Sequence, residues 1–150
     1  MPYFTRQVDP ATGNLILVAF VGVSQARRTA LVANNQAVPN PIQIMGLVDT
    51  GASCTCIDPT VLNQLNLSPT GSTSVNSPTT GATPAIADQY DVSFVIPSTL
   101  NHPPLVHQTI PVVKADLLAA QGFHALIGRD ILRGCLLTYD GQNGLFSLAF

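Results

Sequence analysis

The residues best placed to do chemistry are the seven from Leu47 to Ser53, which read Leu-Val-Asp-Thr-Gly-Ala-Ser. One carboxylate, Asp49, ends an apolar run, followed by the hydroxyl residue Thr50, then Gly51, then the small residues Ala52 and Ser53. A carboxylate in a poorly hydrated turn is costly when charged unless hydrogen bonds, a metal or a second acid sharing its proton compensate. A metal would need more ligands, and His102, His107 and His124 show no ligand spacing with one another or with the aspartates. Two readings remain open on residue type alone: an acid that works with a second carboxylate, or a turn aspartate capping its own loop. The other stretch of note is Ala125 to Asp130, where apolar residues lead into Gly128, Arg129 and Asp130.

Both stretches need strands to deliver them. Ile42 to Val48 reads as the strand that ends at Asp49, and Leu15 to Val23 as another, rich in Val, Leu and Phe. Gly51 is needed where the chain turns or where something approaches too closely for a side chain. Ser53 to Ile57 reads as a returning strand. Asp58-Pro59 then starts a short helix, Asp as N-cap and Pro at the first helical position, with Val61, Leu62 and Leu65 on its apolar face. Arg28 to Val32 is expected as strand and, with the turns at Asn34-Asn35-Gln36 and Pro39-Asn40-Pro41, as part of a hairpin. The first fourteen residues look polar and turn-rich.

Ser68 to Thr83 is a long polar stretch rich in Ser, Thr, Pro and Gly, and Ala85 to Ile96 is a long strand after it. Together they read as a projecting hairpin, the alternative being a surface loop without function. Leu105 to Val113 is strand-like, Ala115 to Gln121 is expected as a short helix ended by Gly122, and His124 to Ile127 is a second apolar strand. Asp130 to Arg133 reads as a helical turn with Asp130 as its N-cap. Cys135 to Tyr139 and Leu145 to Phe150 flank Asp140-Gly141-Gln142-Asn143-Gly144, a strong hairpin signal.

Composition narrows the function classes. The chain has 150 residues, enough for one core, so 1–150 is expected to be a single domain. Charged residues make up 9% and hydrophobic ones 46%, too apolar for disorder. The net charge is −2, without a basic run, so no nucleic-acid partner is expected. No apolar stretch is long enough to span a bilayer and no signal-peptide pattern stands at the N-terminus, which points to a cytoplasmic protein or a trimmed one. Three cysteines, Cys54, Cys56 and Cys135, argue against a disulfide framework. On a strand Cys54 and Cys56 would share a face; buried free thiols are expected.

Val48-Asp49-Thr50-Gly51-Ala52-Ser53 resembles the active-site motif of aspartic proteases. Leu126-Ile127-Gly128-Arg129-Asp130-Ile131-Leu132 resembles the second signature of their retroviral, single-domain branch, the retropepsins. Asp-Thr-Gly alone is a weak match, whereas the two motifs in this order, spaced by about one small domain, are far more specific. The resemblance implies a mainly β, closed-barrel acid protease fold with one or two short helices and an active site at a homodimer interface. It implies one catalytic aspartate per chain, Asp49, acting on peptide without metal or cofactor. Thr50, Gly51, Gly128 and Arg129 would support the site. Gly51, Ala52, Ser53 and the flap residues Thr79, Thr80, Gly81 and Ala82 would meet substrate. The chain departs from the pattern at Ser53, where retroviral enzymes often carry an acid that pairs with the arginine matched by Arg129. Arg129 must then bond backbone carbonyls or another acid, such as Asp130 or Asp58. The long segment before Ile42 and the C-terminal hairpin also exceed the viral pattern, and these termini are expected to build the dimer contact. A module that keeps this fold but only binds peptide is the alternative from another class.

Overall fold

The computed structural model describes residues 1–76, 80–99, 101–117 and 121–150. Among these described residues, ten strands and three short helices follow in chain order: β1 (Tyr3–Gln7), β2 (Ile16–Val23), α1 (Gln25–Ala33), β3 (Ile42–Val48), β4 (Cys56–Ile57), α2 (Pro59–Gln64), β5 (Gly71–Val75), β6 (Ala85–Ile96), β7 (Leu105–Lys114), β8 (Ala125–Ile127), α3 (Arg129–Leu132), β9 (Leu136–Asp140) and β10 (Leu145–Ala149). Six strands form a ring in the order β2-β3-β8-β4-β7-β6, which closes because β2 also pairs with β6. The barrel is mixed: β3 runs parallel to β8 and β4 parallel to β7, and the other pairings are antiparallel. The expected mainly β closed barrel is thus observed.

Period-2 alternation explains how these strands close. Leu17, Ala19 and Val21 of β2, Ile44 and Val48 of β3, and Tyr90, Val92, Phe94 and Ile96 of β6 are buried. So are Ile110 and Val112 of β7 and Ala125 and Ile127 of β8. Each side chain of this size contributes about 1.5–3 kcal/mol on full burial. The helix α2 packs its apolar residues into the same core, as its sequence implies. Asp58 caps it, accepting from the Thr60 N–H at 2.9 Å, Pro59 opens it, and Val61, Leu62 and Leu65 are buried.

Several expectations of local structure are corrected. The segment from Arg28 to Val32 is helical, within α1, and is not an arm of a hairpin. Ser24 caps α1 by accepting from the Arg27 N–H, and the run Gln25-Ala26-Arg27-Arg28 is a good helix former. Its only buried residue is Leu31, so no apolar stripe announces it. Asn34-Asn35-Gln36 is the helix exit: Asn35 has φ 53°, and the Gln36 N–H donates to the Leu31 carbonyl at 2.8 Å. Among the described residues the helices are few and short, as the resemblance implies. The strand after Gly51 shrinks to Cys56–Ile57, because Ser53 and Cys54 lie in a bend.

The turn-rich start contains β1, which pairs with β10 and, through it, with β9 in a separate antiparallel sheet. Phe4 anchors that sheet edge-on to Phe146, their ring centroids 6.3 Å apart. The expected helix over Ala115 to Gln121 lies partly outside the described residues; Ala115 to Leu117 are not helical and Gly122 has φ 87°.

Candidate active site

Parallel pairing of β3 with β8 brings the two sequence motifs together. Gly46, Leu47 and Val48 stand opposite Ala125, Leu126 and Ile127, and the Asp49 N–H donates to the Ile127 carbonyl at 3.0 Å. Asp49 is therefore the first residue past a buried strand, anchored by backbone to the neighbouring strand's last carbonyl. Its carboxylate is held by the turn that follows: Oδ1 accepts from the Gly51 N–H at 2.8 Å and from the Ala52 N–H at 3.3 Å. Gly51 is favoured by proximity and not by a left-handed backbone. A Cβ there would lie 3.1 Å from Asp49 Oδ1. Asp49 is half-buried, while Thr50 and Gly51 are exposed. Among the described residues, the hydrogen bonds to this carboxylate fall on Oδ1 and none on Oδ2.

Gly128 and Arg129 stand behind this loop. A Cβ on Gly128 would meet the Cys54 carbonyl carbon at 2.5 Å and its oxygen at 2.6 Å, so only glycine lets the two backbones pass. The Arg129 N–H donates to the Ala52 carbonyl at 3.0 Å, and its Nη1 donates to the Thr50 carbonyl at 3.3 Å. Of the alternatives opened by Ser53, Arg129 takes the backbone carbonyl. Its two bonds fasten the carbonyls on either side of Gly51.

Asp130 is not the helix N-cap. That position falls to Gly128, which has no side chain to cap with. The Asp130 carboxylate instead reaches across to Thr55, accepting from its N–H at 2.8 Å through Oδ2 and from its Oγ1 at 2.8 Å through Oδ1. Thr55 is fully buried, and its Oγ1 accepts from the Gly128 N–H at 3.1 Å. Sequence reasoning missed Thr55, since its partner lies 75 residues away. The only signal was a hydroxyl residue inside an otherwise apolar and thiol segment.

The remaining site expectations are placed as follows. Ala52 is half-buried and Ser53 exposed, next to the loop. β5 and β6 form the projecting hairpin, with Gly71 opposite Gln89 and Val75 opposite Ala85. Thr80 is half-buried near its tip, Gly81 and Ala82 are exposed, and Gly81 has φ 61°. Thr79 lies outside the described residues. The three cysteines are free and half-buried. Cys54 precedes β4 and does not share a strand with Cys56. Burial, with the neighbouring Cys54 and the charges of Asp130 and Asp49, pushes the Cys56 thiol up to about 12. Among the described residues, no three His, Cys, Asp or Glu gather where a metal ion would sit, and no helix is long and apolar enough to cross a membrane. A surface depression of about 480 Å³, lined by Phe4, Thr5, Arg6, Ser98 and Thr99, draws no residue from the Asp49 loop.

A family model for aspartyl proteases matches residues 29–131, and the chain belongs to that family. The fold is that of a retropepsin-like aspartic protease from Rickettsia conorii, with a TM-score of 0.60 at 19% identity over 97% of this chain and 89% of that one. A foamy viral protease-reverse transcriptase, solved with an RNA/DNA hybrid, aligns with a TM-score of 0.44 at 16% identity, over 79% of this chain and 12% of the other. No curated protein matches the chain.

Proposed function

We propose that the chain is an aspartic endopeptidase that hydrolyses extended peptides as a homodimer, each copy supplying one Asp49. The observation that carries this reading is the hold on the Asp49 carboxylate, one oxygen fixed by the N–H groups of Gly51 and Ala52. A loop that fixes one oxygen and presents the other is what a shared-proton pair needs. Two such acids face to face bind one proton between them, because both cannot easily ionise at close range. The ionised member takes a proton from a water held between them, and the water attacks the scissile carbonyl. The protonated member donates a hydrogen bond to that carbonyl oxygen. The tetrahedral diol then collapses as a proton passes to the leaving nitrogen.

The supporting roles follow by position. Thr50, exposed beside Asp49, bonds across the two-fold axis. Ala52 and Ser53 line the cleft. Arg129 and Gly128 keep the loop in place. The β5–β6 hairpin, with Thr80, Gly81 and Ala82 near its tip, covers bound peptide and excludes water. The terminal sheet supplies the dimer contact: Tyr3, Ala149 and Leu136 form one row across it, and Tyr3 and Leu136 are exposed.

The test is cleavage of a peptide library by wild type and Asp49→Asn, with the products sequenced. Wild type is expected to cut and the variant to lose essentially all activity. Equal cleavage by both would sink the assignment, and binding without cleavage by wild type would favour the peptide-binding module. Sedimentation gives the second arm: a protein that cleaves while purely monomeric cannot use a dyad of two Asp49 side chains.

A further inference from the structure

Thr55, which braces the site from behind, stands between two thiols. The Cys56 thiol turns back on the residue two before it, facing the Cys54 carbonyl at 3.8 Å, and Cys54 is among the groups that push the Cys56 thiol up. Both cysteines are half-buried, so small solutes reach them, and neither is locked in a disulfide. We propose that Cys54 and Cys56 form a reversible oxidation site: hydrogen peroxide converts the pair to a Cys54–Cys56 disulfide, and that closure releases the Thr55 brace behind Asp49.

The chemistry balances with peroxide as the only oxidant. The Cys54 sulfur attacks one peroxide oxygen; an S–O bond forms, the O–O bond breaks and water leaves, giving a sulfenic acid. The Cys56 sulfur then attacks the Cys54 sulfur; the S–S bond forms, the S–O bond breaks, and the hydroxyl leaves as a second water with the Cys56 proton. Two thiols lose two electrons, and one peroxide becomes two waters. The order of the sulfurs follows from their surroundings. The raised Cys56 thiol holds almost no thiolate at neutral pH, which suits the resolving role better than first attack.

The mechanical consequence follows from spacing. A fully extended chain holds residues two apart at about 6.6–7.2 Å between Cα atoms, at or beyond the upper end of the span a disulfide accepts. Closing the bond contracts the backbone on either side of Thr55. Thr55 is fixed by four hydrogen bonds: its N–H and Oγ1 to Asp130, its Oγ1 from the Gly128 N–H, and its carbonyl from the Val113 N–H at 3.0 Å. These cannot all survive a contraction centred on it. Gly128 and Asp130 flank Arg129, whose two bonds hold the Asp49 loop. The part of this inference that concerns catalysis rests on the protease reading; the thiol chemistry does not.

The experiment treats the purified full chain with hydrogen peroxide and reads intact mass, peptide map and melting temperature, then peptide cleavage. The expected product has lost the mass of two hydrogens, carries a Cys54–Cys56 link, melts lower and returns to the starting mass with a dithiol reductant. Cys135→Ser still forms it; Cys54→Ser and Cys56→Ser do not. Oxidation that only adds oxygen to the thiols, or a link through Cys135, overturns the site. If the linked protein cleaves peptide as fast as the reduced one, the coupling to Asp49 is overturned, since a shift of this kind is expected to cost on the order of a hundred-fold in rate. A wild type that forms the link but cleaves nothing even when reduced refutes the protease reading and leaves the thiol site standing.

Discussion

The Asp49 loop and the β5–β6 hairpin are built in opposite ways. The loop is short and bonded from several elements at once: Ile127 from β8, Arg129 from α3, and Thr55 and Asp130 behind. Gly128 packs backbone against backbone there, with no room for a methyl group. The hairpin is a two-stranded arm whose outer residues are largely exposed, Ile86 at 72%. Local stability varies in this way within one molecule, and moving parts are drawn from its low end. In the proposed enzyme, aiming the carboxylate calls for the first kind of construction, and a cover that admits a peptide calls for the second.

The comparison can be broken most forcefully at Gly128. Gly128→Ala drives a Cβ into the Cys54 carbonyl, which cannot swing aside as a side-chain tip would, and is expected to cost about 3 kcal/mol by urea denaturation. A variant within error of wild type would show that the loop yields and is not a rigid seat. Thr55→Val comes next. It strips Asp130 Oδ1 and the Gly128 N–H of their hydroxyl partner and is expected to cost about 2 kcal/mol, whereas Thr55→Ser keeps the hydroxyl and most of the stability.

Asp58 tests a neighbouring brace, and does so through pH. Burial alone would raise its carboxyl, but the Thr60 hydroxyl and N–H and the Leu117 N–H outweigh that and hold it below the ordinary carboxylate range. A depressed acid contributes stability that is fully present above its unfolded pKa and lost as pH falls through its folded one. Asp58→Ala is expected to cost about 1 kcal/mol at neutral pH through the lost helix cap. Its stability curve should approach that of wild type on acidification, and a gap that stays constant down to the acid limb would refute this account. Ile86→Ser, on the exposed arm, should change stability by less than about 0.5 kcal/mol. A larger loss would mean the arm is packed after all.

What was legible in the sequence divides along similar lines. Strands whose two faces differ announce themselves: Ile42 to Val48 and Ala85 to Ile96 fall where alternation and breakers put them. The cap of α2 is readable because Asp-Pro carries its own geometry. β1 is hidden because only Phe4 of its five residues is buried, and its partner β10 lies at the other end of the chain. α1 is hidden because a helix that buries only Leu31 leaves no period. The Asp49 motif and the Gly128 motif could be read locally, and their pairing came from a family resemblance. The Thr55–Asp130 clamp has no local signature, since neither residue's type reveals a partner 75 positions distant.

The parallel register of β3 on β8 also sets an order in time. In synthesis Asp49 precedes the carbonyl that anchors it, the glycine that backs it and the arginine that fastens its loop, which all belong to residues 127–129. Such long closures form late in folding, because their entropy must be met before the contact gives anything in return. A half-made chain therefore carries the acid but not its aim, and whatever reactivity Asp49 has is withheld from the nascent protein until the barrel is closed around it.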